Sequence, residues 1–359
     1  MGSEMCIRDR VANEQVIIVI KMAILTNSSD LVRASQMSWH QHMKLAIRCP
    51  RQLAERLEVP IEAICPVQSA APFPLFVPLP FLSRIRKSDL RDPLLLQVLP
   101  ASEENQVVEG FGADPLGESE FGLTGGLLKK YEGRALLVCN GTCAVHCRYC
   151  FRRHFPYEAT VGVSEQWQPA LDQIAQDESI EEVILSGGDP LTLVDSVVAK
   201  LVSAIESIAH VTRLRIHTRL PIVIPQRVTD ELIECLAGSR LATVFVIHAN
   251  HANELDDSVA DAVSKLTTNR IAVLNQSVLL RGVNDSFDAL SQLSKRLVEI
   301  GAVPYYLHQL DPVAGAAHFH VPIDEGKQLI ADMRSKLSGY LVPRYVQEQP
   351  GKESKTILE

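Results

Sequence analysis

The sequence predicts an α/β protein built as a (βα)6 partial barrel with an N-terminal helical cap, and three observations carry that prediction. Short β-rich runs begin at Arg134, Glu181, Arg213, Thr243, Ala272 and Val303. The later starts lie roughly 30 residues apart, the length of a buried strand plus a covering helix. Amphipathic stretches such as 195–208 (DSVVAKLVSAIESI) and 288–300 (DALSQLSKRLVEI) sit between them. Each run also ends in polar residues: CNGTCAVHC, SGGDP, HTR, HANHANE, NQS and HQLD. Working groups in βα folds sit at the carboxyl ends of strands, and a barrel gives all six ends one mouth.

The elements are taken in chain order. Residues 1–21 share no periodicity with the rest of the chain and read as a non-native or disordered leader, with Met22 as the start of the native chain. Residues 22–118 form a helical region. In it PRQLAERLEVP (50–60) is helical, APFPLFVPLPF (71–81) is a Pro-rich connector, and in DPLLLQVLP (92–100) Asp92 caps a helix that begins at Pro93. Residues 119–345 form the barrel, and 346–359 form a separate tail.

The chain has 359 residues, 46% hydrophobic and 22% charged, enough for one large domain with an appendage. A net charge of −8 leaves no basic excess for a nucleic-acid backbone, and the apolar run 16–20 is too short to span a bilayer. Eight cysteines are too few for a disulfide scaffold, and three of them crowd between Cys143 and Cys150. That pattern indicates metal binding in a reducing, cytoplasmic compartment.

Cys143-x3-Cys147-x2-Cys150 lies on the loop after the first barrel strand. Thiolates are the soft ligands of iron–sulfur clusters, and three of them leave one iron open. A zinc site stays open as the alternative. It would take its fourth ligand from Cys139, His146 or His154, although Cys139 ends a buried apolar strand and also reads as core. SGGDP, taken alone, is a strand-to-helix turn with Pro190 opening the helix.

CAVHCRYCF followed by SGGDP resembles the radical S-adenosylmethionine superfamily, with Tyr149 as the aromatic residue before the last cysteine. The resemblance implies a [4Fe–4S] cluster on Cys143, Cys147 and Cys150 whose open iron chelates S-adenosylmethionine and cleaves it to a 5′-deoxyadenosyl radical. It also implies that Gly187, Gly188 and Asp189 receive the methionine amino group. KYEGRALLV, CRYCFRRHF, RIHTRLPIVIPQR, LNQSVLLRGVND, PYYLHQLDPVAGAAHF and SKTIL resemble the lysine 2,3-aminomutase family. Within it, CAVHCRYCFRRHFPY and the end just past SKTIL resemble the branch that makes (R)-β-lysine for elongation factor P.

That family implies a second cofactor, pyridoxal 5′-phosphate, because nitrogen migration between adjacent carbons needs a π-system to hold it. By resemblance Lys355 carries the pyridoxal, ahead of its neighbour Lys352, while Tyr131 and Arg134 contact its ring and phosphate. Arg152 binds the carboxylate of L-lysine, Asp311 and Glu348 hold its ε-ammonium, and His248 and Gln276 lie on the cofactor side. Arg153 is a structural or surface charge. His251 and Asn253 receive no role. The implied partners are L-lysine, an electron donor such as flavodoxin or ferredoxin, and elongation factor P with its lysyl ligase, with neither nucleic acid nor membrane. Cap and tail are expected to close the mouth against water. An aminomutase for another amino acid, such as glutamate or arginine, would keep the cluster and Lys355 but change the acids. A non-catalytic zinc module would bind no pyridoxal.

Overall fold

Nine strands line up in sequence order in one sheet of the computed structural model, which describes residues 37–64, 73–118, 125–157 and 167–359. They are β1 (Leu127–Tyr131), β2 (Arg134–Asn140), β3 (Glu182–Gly187), β4 (Arg213–Thr218), β5 (Ala242–Ile247), β6 (Ala272–Val278), β7 (Val303–His308), β8 (Arg344–Gln347) and β9 (Thr356–Ile357). From β2 to β8 every neighbouring pair is parallel, and the two outermost pairings, β1 with β2 and β8 with β9, are antiparallel. Strands β2 to β7 are the six predicted from sequence. Helices Gln168–Gln176, Asp195–Glu206, Asp230–Ala237, Asp257–Thr268, Phe287–Glu299 and Ile323–Lys336 cross between successive parallel strands, giving the (βα)6 partial barrel.

Period-two alternation sorts each strand into two faces. Ala135, Leu137 and Cys139 of β2, Val183 and Leu185 of β3, Leu214 and Ile216 of β4, and Phe245 and Ile247 of β5 join the helices in the largest apolar cluster. Their neighbours face the other way, into the barrel. There the register sets Arg134 beside Glu182, Ile184 beside Arg215, and Gln276 beside Tyr306. The concave face is therefore polar in a fold whose outer face is continuous aliphatic core.

Three strands were not expected from sequence. β1 is half-polar and closes on β2 through Glu132 and Gly133, whose φ of 75° suits a tight turn that a side chain would strain. β8 and β9 are too short to show periodicity. β8 also straddles the expected boundary at residue 345, so the tail continues the sheet.

The cap follows its local signals closely. Asp92 accepts hydrogen bonds from the Leu94 and Leu95 amides at 2.8 and 3.1 Å, and Pro93 opens the helix Pro93–Leu96. Cap residues Leu53, Phe81 and Leu94 share the main apolar cluster with the barrel. Arg84 ties the cap to the loops after β4 and β5, donating to the Ile222 carbonyl at 2.7 Å, the Glu254 carbonyl at 2.8 Å and the Asp256 carboxylate at 2.9 Å. The backbone at Gly112 pairs with that at Val313 beyond β7. The cap thus reaches over the strand ends on both sides of the mouth. Residues 1–21 lie outside the described residues. No helix among the described residues is long and apolar enough to cross a membrane.

Candidate active site

The cluster loop is stitched to the end of β3 by backbone. The Gly188 amide donates to the Asn140 carbonyl and the Asp189 amide to that of Thr142, both at 2.8 Å. A Cβ on Gly188 would sit 2.4 Å from the Thr142 oxygen, so only glycine permits this approach. The Asp189 carboxylate accepts from Thr218 Oγ1 at 2.8 Å, from the Arg219 amide at 2.8 Å, and from the amides of Leu191 and Leu220 at 3.0 and 3.2 Å. It therefore ties the ends of β3 and β4 together. Pro190 opens a short 3-10 turn behind it, as the turn reading of SGGDP anticipates.

Cys143, Cys147 and Cys150 are free and half-buried on this loop. Burial pushes the Cys143 thiol well above its ordinary value, and the charges of Cys150, Asp189 and Cys147 push it further. Burial and then Cys147 raise Cys150 to about 12. Cys143 thus feels both other sulfurs and Cys150 feels Cys147, and crowded thiolates require a positive partner. The other candidate zinc ligands are engaged elsewhere. His146 Nδ1 lies 2.8 Å from the Pro74 carbonyl and His154 Nε2 3.0 Å from that of Ala314. Cys139 is fully buried in the outer core.

The three arginines of CRYCFRR are matched to buried acids. Arg148 and Arg153 share Glu104 at 2.7 and 2.6 Å. Arg153 also donates to the Gly315 carbonyl at 3.0 Å, which makes it a buried structural charge. Arg152 grips Glu118 with Nε at 2.7 Å and Nη2 at 2.9 Å, and Nη1 reaches Ser186 Oγ at 3.1 Å. Burial alone would weaken the Arg152 charge, but Glu118 outweighs it and holds the guanidinium above its ordinary range. The fork expected to receive a substrate carboxylate is filled by one from the chain.

On the far side of the mouth the antiparallel register pairs Gln347 with Thr356 and, one step on, sets Glu348 opposite Lys355. The two side chains form an ion pair. Lys130 Nζ bridges Glu348 and Glu118 at 3.3 and 3.2 Å. Burial works against the Glu348 charge, yet Lys355 and Lys130 overcome it and hold its carboxyl at about 2. Asp311, in the loop after β7, goes the other way. Burial and then Glu348 raise it to about 7. His308 is pushed down to about 3 by burial and by Lys355, and burial likewise keeps His217 neutral, with Arg215 and Lys355 adding to it. Lys355 therefore faces the barrel interior, whereas Lys352 is exposed.

The Arg134 guanidinium lies 4.6 Å over the Tyr131 ring. Burial and then Glu348 raise the Tyr131 phenol, joining that pair to the tail acids. His248, closing β5, lies 2.8 Å from the Tyr149 hydroxyl and stacks on its ring at 5.7 Å, so it belongs to the cluster side. Gln276 is half-buried on the inner face of β6, next to Tyr306. His251 caps a short turn by accepting from the Asn253 amide at 3.1 Å, which gives both residues a local structural role.

Sequence reasoning missed Glu104, Glu118 and Lys130. A charged residue in a loop or at a strand edge reads as solvated until its partner is known, and these partners lie tens of residues away.

Residues 132–218 match the family model of a 4Fe–4S single cluster domain. The chain is 47% identical over 330 residues to the L-lysine 2,3-aminomutase of Haemophilus influenzae, covering 91% of this chain and 97% of that one. It is 49% identical over 287 residues to the L-lysine 2,3-aminomutase of Escherichia coli, covering 80% and 84%. To that of Clostridium subterminale it is 35% identical over 278 residues, covering 77% and 66%.

Proposed function

Since the chain belongs to the L-lysine 2,3-aminomutase family, we propose that it converts L-lysine to (R)-β-lysine with a [4Fe–4S] cluster, S-adenosylmethionine and pyridoxal 5′-phosphate. When bound, the first two supply a hydrogen-abstracting radical and the third a π-system that carries the nitrogen. Cys143, Cys147 and Cys150 would hold the cluster. Lys355 would hold the pyridoxal, with Tyr131 against its ring, Arg134 toward its phosphate, and His248 and Gln276 on the cofactor side. The donor set suits both groups: clustered thiols for iron, and an inward amine beside an aromatic ring and a guanidinium for a phosphorylated aldehyde.

The observation that carries the reading is the pairing of Lys355 with Glu348 beside Asp311. Lysine presents a carboxylate at one end and an ammonium at the other, and the mouth offers Arg152 on one side and two acids on the other. Within the chain those groups satisfy one another: Glu118 fills the Arg152 fork, and Lys355 and Lys130 neutralise Glu348. Substrate would exchange these contacts for its own, so little uncompensated charge is buried at any stage. Gly187 and Gly188 would offer backbone carbonyls to the amino group of S-adenosylmethionine. Asp189, its oxygens already taken by the ends of β3 and β4, would shape that turn.

The finer reading is that the product serves elongation factor P through its lysyl ligase, that the protein is cytoplasmic, and that flavodoxin or ferredoxin supplies the electron. It rests on the CAVHCRYCFRRHFPY resemblance and on thiols that need a reducing compartment. The test is anaerobic turnover of lysine, glutamate, arginine and ornithine side by side by the reconstituted protein. β-Lysine as the dominant product supports the reading, and preference for glutamate or arginine overturns it.

A further inference from the structure

Arg219 directly follows β4 and is 7% exposed. Its Nη1 donates to Cys147 Sγ at 2.7 Å, and its Nη2 donates to Gln97 Oε1 at 2.6 Å and to Glu254 Oε2 at 2.9 Å. Its Nε is buried without a hydrogen-bond partner. The guanidinium lies between the rings of Phe81 and Tyr149, 5.5 and 5.7 Å from their centroids. The anchor is itself anchored: Glu254 Oε1 accepts from the Asn250 amide at 2.8 Å, the His251 amide at 3.1 Å and Gln97 Nε2 at 3.1 Å. A permanently charged cation is thus fixed on one of the three clustered thiols by groups from the cap, β4 and the loop after β5.

We propose that Arg219 is a positioning residue that sets the reduction potential of the cluster held by Cys143, Cys147 and Cys150, acting through its hydrogen bond to the Cys147 sulfur. The proposal rests on the iron–sulfur reading above. Reduction adds one electron from an external donor and makes the cluster more negative, with no proton required. A fixed cation at a ligand sulfur favours the more negative state, and hydrogen bonds to cluster sulfurs and local charge are among the determinants of potential. Burial makes the interaction stronger than it would be in water. Guanidinium does not lose its proton in a protein, so the effect is constant with pH. Glu254 has two opposed effects: it holds the cation in place and partly offsets its charge.

The test is a potentiometric titration of the full, anaerobically reconstituted chain with dithionite, followed by the electron paramagnetic signal of the reduced cluster. Iron and sulfide content is measured first. Arg219→Gln is expected to make reduction at least tenfold less favourable, a shift of about 59 mV toward negative potential for a one-electron couple. Glu254→Gln, which removes the offsetting charge and keeps one acceptor oxygen, is expected to shift the potential toward positive values. General damage to the site does not produce opposite signs. Potentials that stay put, or move together, in variants with full cluster content overturn the proposal. If Arg219→Gln fails to retain iron, Glu254→Gln decides: a positive shift supports the proposal and any other result overturns it. A wild-type protein without iron and sulfide overturns the iron–sulfur reading and the proposal with it.

Discussion

The two sides of the mouth handle charge differently. Around the cluster loop, Arg148, Arg152, Arg153 and Arg219 are all buried, and Glu104, Glu118, Glu254 and backbone carbonyls answer them within hydrogen-bond distance. On the tail side, Glu348 shares two lysines and Asp311 carries a carboxyl raised to about 7. The first side is a frame of buried pairs, of which only Arg152–Glu118 opens to substrate, and breaking any of the others strands a buried charge. The second holds groups that can change partner or protonation. A radical site needs both: a rigid cradle for the cluster, and a substrate end that accepts a diamine in exchange for internal ions.

Removing a thiolate breaks the comparison most completely. Any one of Cys143→Ala, Cys147→Ala or Cys150→Ala is expected to abolish the brown iron–sulfur absorbance and S-adenosylmethionine cleavage, because a three-ligand site has no spare sulfur. Cys139→Ala, in the outer core, should retain both. Full cluster content without Cys147 would falsify the assignment.

One acid on each side sharpens the contrast. Asp311→Ala should lower kcat/KM for lysine by about two to four orders of magnitude, since leaving a buried charge unpaired costs roughly 3–5 kcal/mol, while S-adenosylmethionine binding survives. Glu104→Gln, which strands Arg148 and Arg153, should instead appear as a loss of roughly 3–5 kcal/mol in unfolding free energy. Denaturant unfolding and lysine kinetics on both variants would separate these effects. Equal loss of stability in the two would erase the distinction between frame and exchange site.

A smaller effect is expected with pH. Burial and then Glu348 raise the Asp311 carboxyl to about 7, whereas Lys355 and Lys130 overcome burial and hold Glu348 at about 2. Lysine's ammonium prefers ionised Asp311, so binding releases a proton and KM should rise as pH falls below 7, by at most about tenfold per unit for one proton. Asp311→Asn should flatten this profile. A KM that falls on acidification would have the wrong sign.

Much of the frame was legible in the sequence. Six of the seven parallel strands lie where the β-rich runs stand, Asp92 and Pro93 open their helix, and residues 132–218, which include the three cysteines, match a 4Fe–4S single cluster domain model. These features depend on local periodicity, capping and spacing. Arg219 stood in the HTR strand end, but no role could be assigned, because its partners Gln97, Cys147 and Glu254 come from three distant segments. The filled fork of Arg152 was hidden for the same reason: Glu118 lies 34 positions away. Lys355 was singled out through resemblance and not through pattern. A four-residue strand paired with a two-residue one gives no periodicity, yet it is this pairing that turns Lys355 inward and leaves Lys352 in solvent.

The most direct test that the cluster side and the tail side hold separate cofactors is borohydride reduction of the protein loaded with both, followed by peptide mass mapping and an absorption spectrum. The account predicts pyridoxyl label on Lys355 alone, and in Lys355→Ala no label with the iron–sulfur absorbance undiminished. Label on Lys352 or Lys130, or loss of the cluster together with Lys355, would contradict it.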